Sequence, residues 1–296
     1  MRRPIYVTTY GAEVGKSGNS LTVKTEGETK RIPLGVIGYL VLFPGVEITA
    51  PALRFLSGHR RPVFLVNQFG RVSSVVLPEV VGSSTATLRA KQYEKFADAN
   101  FSVEMIRELL TLKLSKLEKL TGSSYPELRK RIESARKPET LLGIDGKLGK
   151  ILYDFLSKKN RSPFPFRGRE YYPPPDPINA VLSLTFTVFY SLLTAAVISS
   201  GLDPYLGFFH VRRGVHAALS SDIIEPIRPQ IADFVIELFN SGFFEEKDFS
   251  QTLKGVKLEN SKLKSLLKLI VSFEIDKRVS EPSLNFLKFL KDSLRK

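Results

Sequence analysis

The chain has 296 residues, of which 43% are hydrophobic and 25% are charged, values close to those of soluble globular domains. Lys and Arg outnumber Asp and Glu by 44 to 30, which gives a net charge of +14. Such a charge attracts polyanions, of which nucleic acid is the common one in a cell. The alternative is that the surface lysines only keep the protein soluble. The absence of cysteine excludes disulfides, thiol nucleophiles and cysteine-ligated metal sites, so any metal must be held by His and carboxylates.

The N-terminal eighty residues consist of short β-rich runs separated by turns. The basic residues at the start precede no long apolar run, so no signal peptide is predicted and we expect a cytoplasmic protein. Runs rich in Val, Ile, Leu, Tyr, Phe and Thr predict strands at residues 5–10, 21–25, 39–43, 62–66 and 72–77. Thr49 can cap one helix that has Pro51 in its first turn.

One segment of this region is similar to a phosphate-binding loop. It runs from Gly11 to Ser17, but only three residues separate its two glycines where a P-loop has four. The following residues, Gly18 and Asn19, are typical of a turn rather than of the first turn of a helix. A hairpin loop is therefore the preferred interpretation.

The hydrophobic pattern changes beyond a predicted linker at residues 79–86. From Val103 to Leu117, apolar residues recur with the 3.6-residue period of a helix. We predict an α+β fold in which a small, sandwich-like β-rich domain at residues 1–80 precedes a larger all-α catalytic domain at residues 81–296. Residues 177–202 are uncharged and long enough to cross a bilayer, but their many hydroxyl groups favour a buried core helix.

Asp145 lies in a predicted helix at residues 140–156. Leu141, Leu148 and Leu152 place its carboxylate on an apolar face, where it needs a ligand, a partner arginine or a position near solvent at the start of the helix. The neighbouring Gly143, Gly146 and Gly149 weaken a helix, so they predict that another group approaches it closely.

His210, Asp222 and Glu225 form a second group of polar residues. Asp222 and Glu225 are three positions apart, so on a helix their carboxylates share one face and suit a divalent cation. The alternative is a capping-box pair before Pro226, and a lone histidine in an aromatic turn is more often structural than a metal ligand. Residues 158–173 mix cations, tyrosines and prolines, as in a nucleic-acid-binding strip or a solvated basic loop.

Four segments resemble one known family. They are Arg167–Arg169, residues 173–180 (PPPDPINA), residues 201–210 (GLDPYLGFFH) and residues 222–229 (DIIEPIRP). In order and spacing they are similar to the CRISPR-associated endonuclease family that integrates new spacers. The short unit Arg31–Leu34 resembles part of the N-terminal β-domain of that family.

The resemblance implies a divalent-metal-dependent DNA endonuclease and integrase of antiviral defence, in which a DNA 3′-hydroxyl attacks a phosphodiester. It implies a Mg²⁺ or Mn²⁺ site of Asp145, His210 and Glu225, with Asp222 as a neighbouring or alternative ligand. It also implies a homodimer formed through the β-rich domain, DNA ends as substrate, and a small ferredoxin-like partner protein. Candidate phosphate contacts are Arg167, Arg169, Arg212, Arg213 and Arg228.

The chain departs from the family at Asp145, where the family motif has Glu before Gly. This shorter side chain leaves the alternative of a catalytically weak DNA-binding scaffold of the same family. A second alternative is an unrelated basic nucleic-acid-binding protein whose acids are only helix caps. If Asp145, Asp222 and Glu225 converge, we expect their like charges to repel until a cation binds.

Overall fold

The computed structural model describes residues 3–78, 83–210 and 216–295. The chain divides into two compact units, Met1–Arg89 with Ile198–Leu202 and Ala90–Val197 with Asp203–Lys296. The sequence-predicted boundary near residue 80 lies outside the described residues and stays a prediction. The predicted linker is wrong over residues 83–86, because these residues begin helix α2, Ser83–Ala97.

In the described residues, the first unit contains two four-stranded sheets, the helix α1, Ala50–Gly58, and the end segments 83–89 and 198–200 of two helices that continue in the second unit. Its strands are β1 Arg3–Val7, β2 Glu13–Ser17, β3 Ser20–Thr25, β4 Glu28–Pro33, β5 Ile37–Leu42, β6 Glu47–Ile48, β7 Val63–Val66 and β8 Val72–Val76. One sheet has the order β1-β5-β7-β8, and the other has the order β4-β3-β2-β6.

A single hydrophobic core contains buried side chains from both sheets and from α1, among them Val14, Leu40 and Leu56. The predicted sandwich-like region is therefore confirmed. Thr49 caps α1 by accepting a hydrogen bond from the backbone N–H of Ala52 at 3.4 Å, as the sequence predicted. Most of the P-loop-like segment forms strand β2 rather than the predicted hairpin loop; Gly18 and Asn19 turn the chain into β3, so no helix follows it.

In its described residues, the second unit is helical apart from one hairpin. Its helices after α2 are α3 Ala99–Thr121, α4 Pro126–Ser134, α5 Pro138–Lys159, α6 Pro177–Ser200, α7 Ala218–Ile224, α8 Arg228–Asn240, α9 Asn260–Lys277 and α10 Glu281–Ser293. The hairpin consists of β9, Phe249–Thr252, and β10, Gly255–Leu258. The predicted change from strands to helices is confirmed.

Helix α6 corresponds to the uncharged segment that was long enough to cross a bilayer. Within the described parts of the chain it is the one helix that passes a length-and-hydropathy test for a membrane span, and 67% of its most apolar window is buried inside the protein. Core helices of soluble proteins pass the same test. This burial agrees with the interpretation of α6 as a core helix.

Candidate active site

Helix α5 positions Asp145 beside a buried apolar face. Leu141, Leu148 and Leu152 are buried on that face, as their spacing predicted. The Asp145 side chain is 20% exposed, and its Oδ1 accepts a hydrogen bond from Lys113 Nζ at 2.5 Å. The predicted partner cation of Asp145 is therefore present, but it is a lysine rather than an arginine.

Lys113 reaches this position from helix α3. Its Nζ also donates to Glu225 Oε2 at 2.7 Å, so one ammonium group bridges two carboxylates. Burial by itself lowers the pKa of Lys113, but the negative charges of Glu225 and Asp145 outweigh burial and raise the pKa above its usual value. The side chain therefore stays protonated although it is only 4% exposed.

Glu225 lies in a 3₁₀ turn that joins α7 to α8. Its side chain is 2% exposed, and its Oε1 accepts a hydrogen bond from Arg228 Nε at 2.5 Å. Burial would raise the pKa of Glu225, but Arg228 and Lys113 overcome that effect and lower the pKa to about 2. Glu225 is therefore a buried, fully ionised carboxylate with a cation on each oxygen.

Asp222 holds His210 in place. The carboxylate is 0% exposed, and its Oδ1 accepts a hydrogen bond from Nδ1–H of His210 at 2.7 Å. Backbone N–H groups of Phe208 and His210 donate to the same carboxylate at 2.8 Å each, and that of Phe209 donates at 3.2 Å. The chain wraps closely around Asp222 because Gly207 has no side chain: a Cβ there would lie 2.8 Å from Asp222 Oδ2.

This contact orients the imidazole toward Glu225. His210 Nε2 lies 3.8 Å from Glu225 Oε1. Burial by itself lowers the pKa of His210, but the hydrogen bond to Asp222 and the charges of Asp222 and Glu225 raise it above the usual value. A carboxylate on Nδ1 fixes the ring and leaves Nε2 to face the site, an arrangement common for metal-binding histidines.

The capping-box alternative for Asp222 and Glu225 is wrong. Asp222 lies inside α7 rather than before a helix, and Glu225 belongs to the following 3₁₀ turn. The expectation of unrelieved repulsion among the acids is also wrong, since Lys113, Arg228 and His210 pair with them.

No described group packs closely against the glycines of α5. A Cβ at Gly143, Gly146 or Gly149 would meet no described atom within 4 Å. The predicted close approach is therefore wrong for the described part of the protein. The glycines instead leave open space along the helix beside Asp145, and Gly149 lies one turn beyond it on the same face.

The donor atoms of Asp145, Glu225 and His210 suit a hard divalent cation, because they are carboxylate oxygens and an imidazole nitrogen. Yet within residues 3–78, 83–210 and 216–295, no group of three or more His, Asp or Glu side chains is arranged to hold a metal ion. In the same site, Lys113 Nζ contacts the carboxylates of both Asp145 and Glu225. The donor chemistry fits such a cation, but a cation between the two carboxylates requires Lys113 to move.

The predicted phosphate-binding arginines differ in their surroundings. The guanidinium of Arg228 stands over the Phe186 ring at 5.0 Å from its centroid, and that of Arg169 stands at 5.9 Å from the same ring. Arg169 also donates to Asn179 Oδ1 at 3.0 Å, so part of its role is structural. Arg167 is exposed. Arg212 and Arg213 lie outside the described residues.

Lys113 and Gly207 are the site residues that sequence reasoning missed. Lys113 carried a signal, because it lies within the apolar stripe of α3, four residues after Leu109 and four before Leu117. A lysine in such a stripe needs a buried acidic partner. Gly207 carried no comparable signal, since its close neighbour, Asp222, is fifteen positions away in the sequence.

A family model described as CRISPR associated protein Cas1 matches residues 5–271. This chain belongs to the Cas1 family. The resemblance that the sequence motifs carry is thereby confirmed, and the alternative of an unrelated basic nucleic-acid-binding protein is wrong.

Two curated relatives of the Cas1 family come from Rhodospirillum rubrum. A CRISPR-associated endonuclease Cas1 is 30% identical over 279 residues, which cover 85% of this chain and 79% of that protein. A Cas4 exonuclease/Cas1 endonuclease fusion is 29% identical over 96% of this chain but only 52% of the fusion. The chain thus spans about half the length of this fused relative.

Solved Cas1 structures share the fold. A chain of a partial Cas6-RT-Cas1–Cas2 complex superimposes with a TM-score of 0.77 at 21% identity, covering 100% of this chain and 96% of that one. A chain of a TtCas1–DNA complex superimposes with a TM-score of 0.66 at 20% identity, covering 97% and 96% of the two chains. These similarities establish the α+β architecture of the Cas1 family for this chain.

Proposed function

We propose that this chain is a metal-dependent DNA endonuclease and integrase that inserts spacer DNA into a CRISPR array. The observation that carries the proposal is the convergence of Asp145, His210 and Glu225, with Asp222 orienting the histidine, in a member of the Cas1 family. These residues come from three separate segments of the second unit. Their convergence makes one polar site, in which Glu225 is buried while Asp145 and His210 are partly exposed.

The proposed reaction is attack of a DNA 3′-hydroxyl on a phosphodiester of the target strand. The hydroxyl loses its proton, a new P–O bond forms, the bond from phosphorus to the leaving 3′-oxygen breaks, and that oxygen takes up a proton, so one 3′-hydroxyl is consumed and one is released. Hydrolysis is the same displacement with water as the nucleophile. Asp145, His210 and Glu225 would hold Mg²⁺ or Mn²⁺. The bound cation would neutralise the negative charge that builds up on the phosphate oxygens.

The surroundings of the site support a phosphodiester substrate. Arg228 and Arg169 flank the Phe186 ring, and the open space at Gly149 leaves room beside Asp145 for a DNA backbone. The net charge of +14 attracts DNA over longer distances. Exposed Arg167 is the further phosphate contact that we propose.

The partners and the location follow from the same proposal. We propose that the protein binds DNA ends and branched or repeat DNA, supported by its structural similarity to TtCas1, a relative solved in complex with DNA. A small ferredoxin-like adaptation protein is the proposed protein partner, supported by a structural neighbour within a Cas1–Cas2 complex. The proposed location is the cytoplasm, where a CRISPR array is accessible.

The decisive experiment for this function is an integration assay. Short duplexes with 3′-hydroxyl ends are incubated with target DNA and the protein in Mg²⁺, in Mn²⁺ or with chelator. We expect joined products with either cation and none with chelator.

A catalytically weak DNA-binding scaffold is the second candidate function. The Lys113 ammonium group between the carboxylates favours it, as does Asp145 in place of the Glu of the family motif. DNA binding without joined products in either cation would establish it.

We propose that two copies of the chain associate through strand β8. This strand lies at one edge of its sheet, and Val75, Val76 and the adjacent Leu77 are 37%, 38% and 44% exposed. An edge strand with exposed apolar residues can pair with another copy of itself. The proposed contact uses only residues of the first unit.

The edge substitution Val76→Lys tests the dimer. We expect it to convert a dimer into a monomer in light scattering across a concentration series, because a lysine at this edge opposes strand pairing between chains. Thr29→Lys is the matched control, since Thr29 is exposed on β4, an edge of the other sheet. A dimer that survives Val76→Lys, or one that Thr29→Lys also dissociates, contradicts this assignment.

A further inference from the structure

The buried ammonium of Lys113 is the least expected feature of the site. The Lys113 side chain is 4% exposed and enters from the apolar face of α3, between Leu110 and Leu114. Removing a charge from water is strongly unfavourable unless ion pairs and hydrogen bonds offset it. Two carboxylates provide that compensation here, at 2.5 Å and 2.7 Å from Nζ.

The three carboxylates of the site differ in the number and kind of partners that they have. Glu225 has two cationic partners, because Arg228 contacts Oε1 while Lys113 contacts Oε2. Asp222 is bound by His210 and by backbone N–H groups. Lys113 is the cation that lies between Asp145 and Glu225, the two carboxylates that the proposed function assigns to the metal.

A divalent cation and an ammonium group compete for such a position. Both need the same carboxylate oxygens, and two positive charges a few ångströms apart in a poorly solvated site repel strongly. A metal that binds both carboxylates must therefore separate at least one of the Lys113 ion pairs. The free energy of that separation reduces the affinity of the site for metal.

We infer that Lys113 is the resident counter-cation of this site, and that a divalent cation binds Asp145 and Glu225 only by displacing its ammonium group. The inference rests on the proposed function, because it takes these two carboxylates as metal ligands. Lys113 then has two effects: it stabilises the acidic pair before metal binds, and it sets the metal concentration at which the site is occupied.

The test is Mn²⁺ binding without DNA, measured on the full chain and on Lys113→Met. Methionine keeps much of the side-chain length and removes the charge. Free Mn²⁺ is followed by electron paramagnetic resonance, and the thermal unfolding midpoint is recorded over the same titration. Lys119→Met is the matched control, because Lys119 is an exposed lysine on the same helix.

We expect Lys113→Met to unfold at lower temperature than the wild type without Mn²⁺, because Asp145 and Glu225 lose a shared partner. We expect its Mn²⁺ dissociation constant to fall by about tenfold or more, since no ion pair has to be broken. Its thermal stabilisation by Mn²⁺ should exceed that of the wild type. Lys119→Met should match the wild type in both measurements, and the gain should disappear in Lys113→Met combined with Asp145→Ala.

An unchanged or weaker Mn²⁺ affinity in Lys113→Met overturns the inference and makes Lys113 a residue that positions the carboxylates. Absence of Mn²⁺ binding in every variant overturns it as well. If Lys113→Met does not fold without Mn²⁺, Lys113→Gln is titrated instead, because its amide can still donate to a carboxylate. The integration assay tests the proposed function independently. Tighter Mn²⁺ binding by Lys113→Met without joined DNA products would support this inference and reject the proposed function.

Discussion

Asp145→Ala is expected to lower strand transfer by roughly a hundredfold or more, the scale at which loss of direct charge stabilisation acts on such reactions. The chain should still fold, because Lys113 loses its ion pair with Asp145 but keeps the one with Glu225, which also stays paired with Arg228. Asp145→Asn should lose activity similarly, since an amide is a poorer ligand for a hard cation. Joined DNA products in Mg²⁺ and Mn²⁺ are the measurement.

Two further variants make this prediction specific. Asp145→Glu should keep or raise activity, because it restores the longer acidic side chain of the family motif, and the open space at Gly146 and Gly149 accommodates one more methylene. Asp154→Ala is the matched control, since Asp154 is an exposed acid on the same helix. If Asp145→Ala retains wild-type strand transfer and wild-type stabilisation by Mn²⁺, Asp145 is structural.

Asp222→Ala is expected to destabilise the protein by about 3 kcal/mol or more, because it leaves buried donors without an acceptor. The carboxylate accepts hydrogen bonds from the backbone N–H groups of Phe208, Phe209 and His210 and from the His210 ring. Urea unfolding followed by circular dichroism measures the loss. Asp276→Ala, at an exposed acid of α9, should stay within about 0.5 kcal/mol of the wild type.

His210→Ala separates the two roles of Asp222. This variant removes the imidazole but leaves the three backbone donors on the Asp222 carboxylate, so its loss of stability should be clearly smaller than that of Asp222→Ala. Its strand transfer should nevertheless be lost. Equal destabilisation by His210→Ala and Asp222→Ala would mean that the ring contact, rather than the backbone contacts, holds the segment together.

The predicted helices and strands were recovered where periodicity was strong. Leu141, Leu148 and Leu152 predicted the buried face of α5, and Thr49 predicted the start of α1. The linker failed at residues 83–86, because Ser and Thr are typical of loops and yet Ser83, Ser84 and Thr85 form the first turn of α2. The capping box failed for a related reason: its residue types also suit the end of one helix and the turn that follows it.

The sequence by itself determined the family, the α+β order of the chain, and the acids and histidine of the candidate site. These features depend on residue identity, local period and motif spacing, which the sequence contains directly. Only the tertiary structure decided which cationic side chain pairs with which carboxylate. Lys113 lies 32 positions before Asp145 and 112 before Glu225, and the packing of α3, α5 and the turn before α8 brings them within hydrogen-bonding distance. Such pairing depends on how helices pack, which no local pattern specifies.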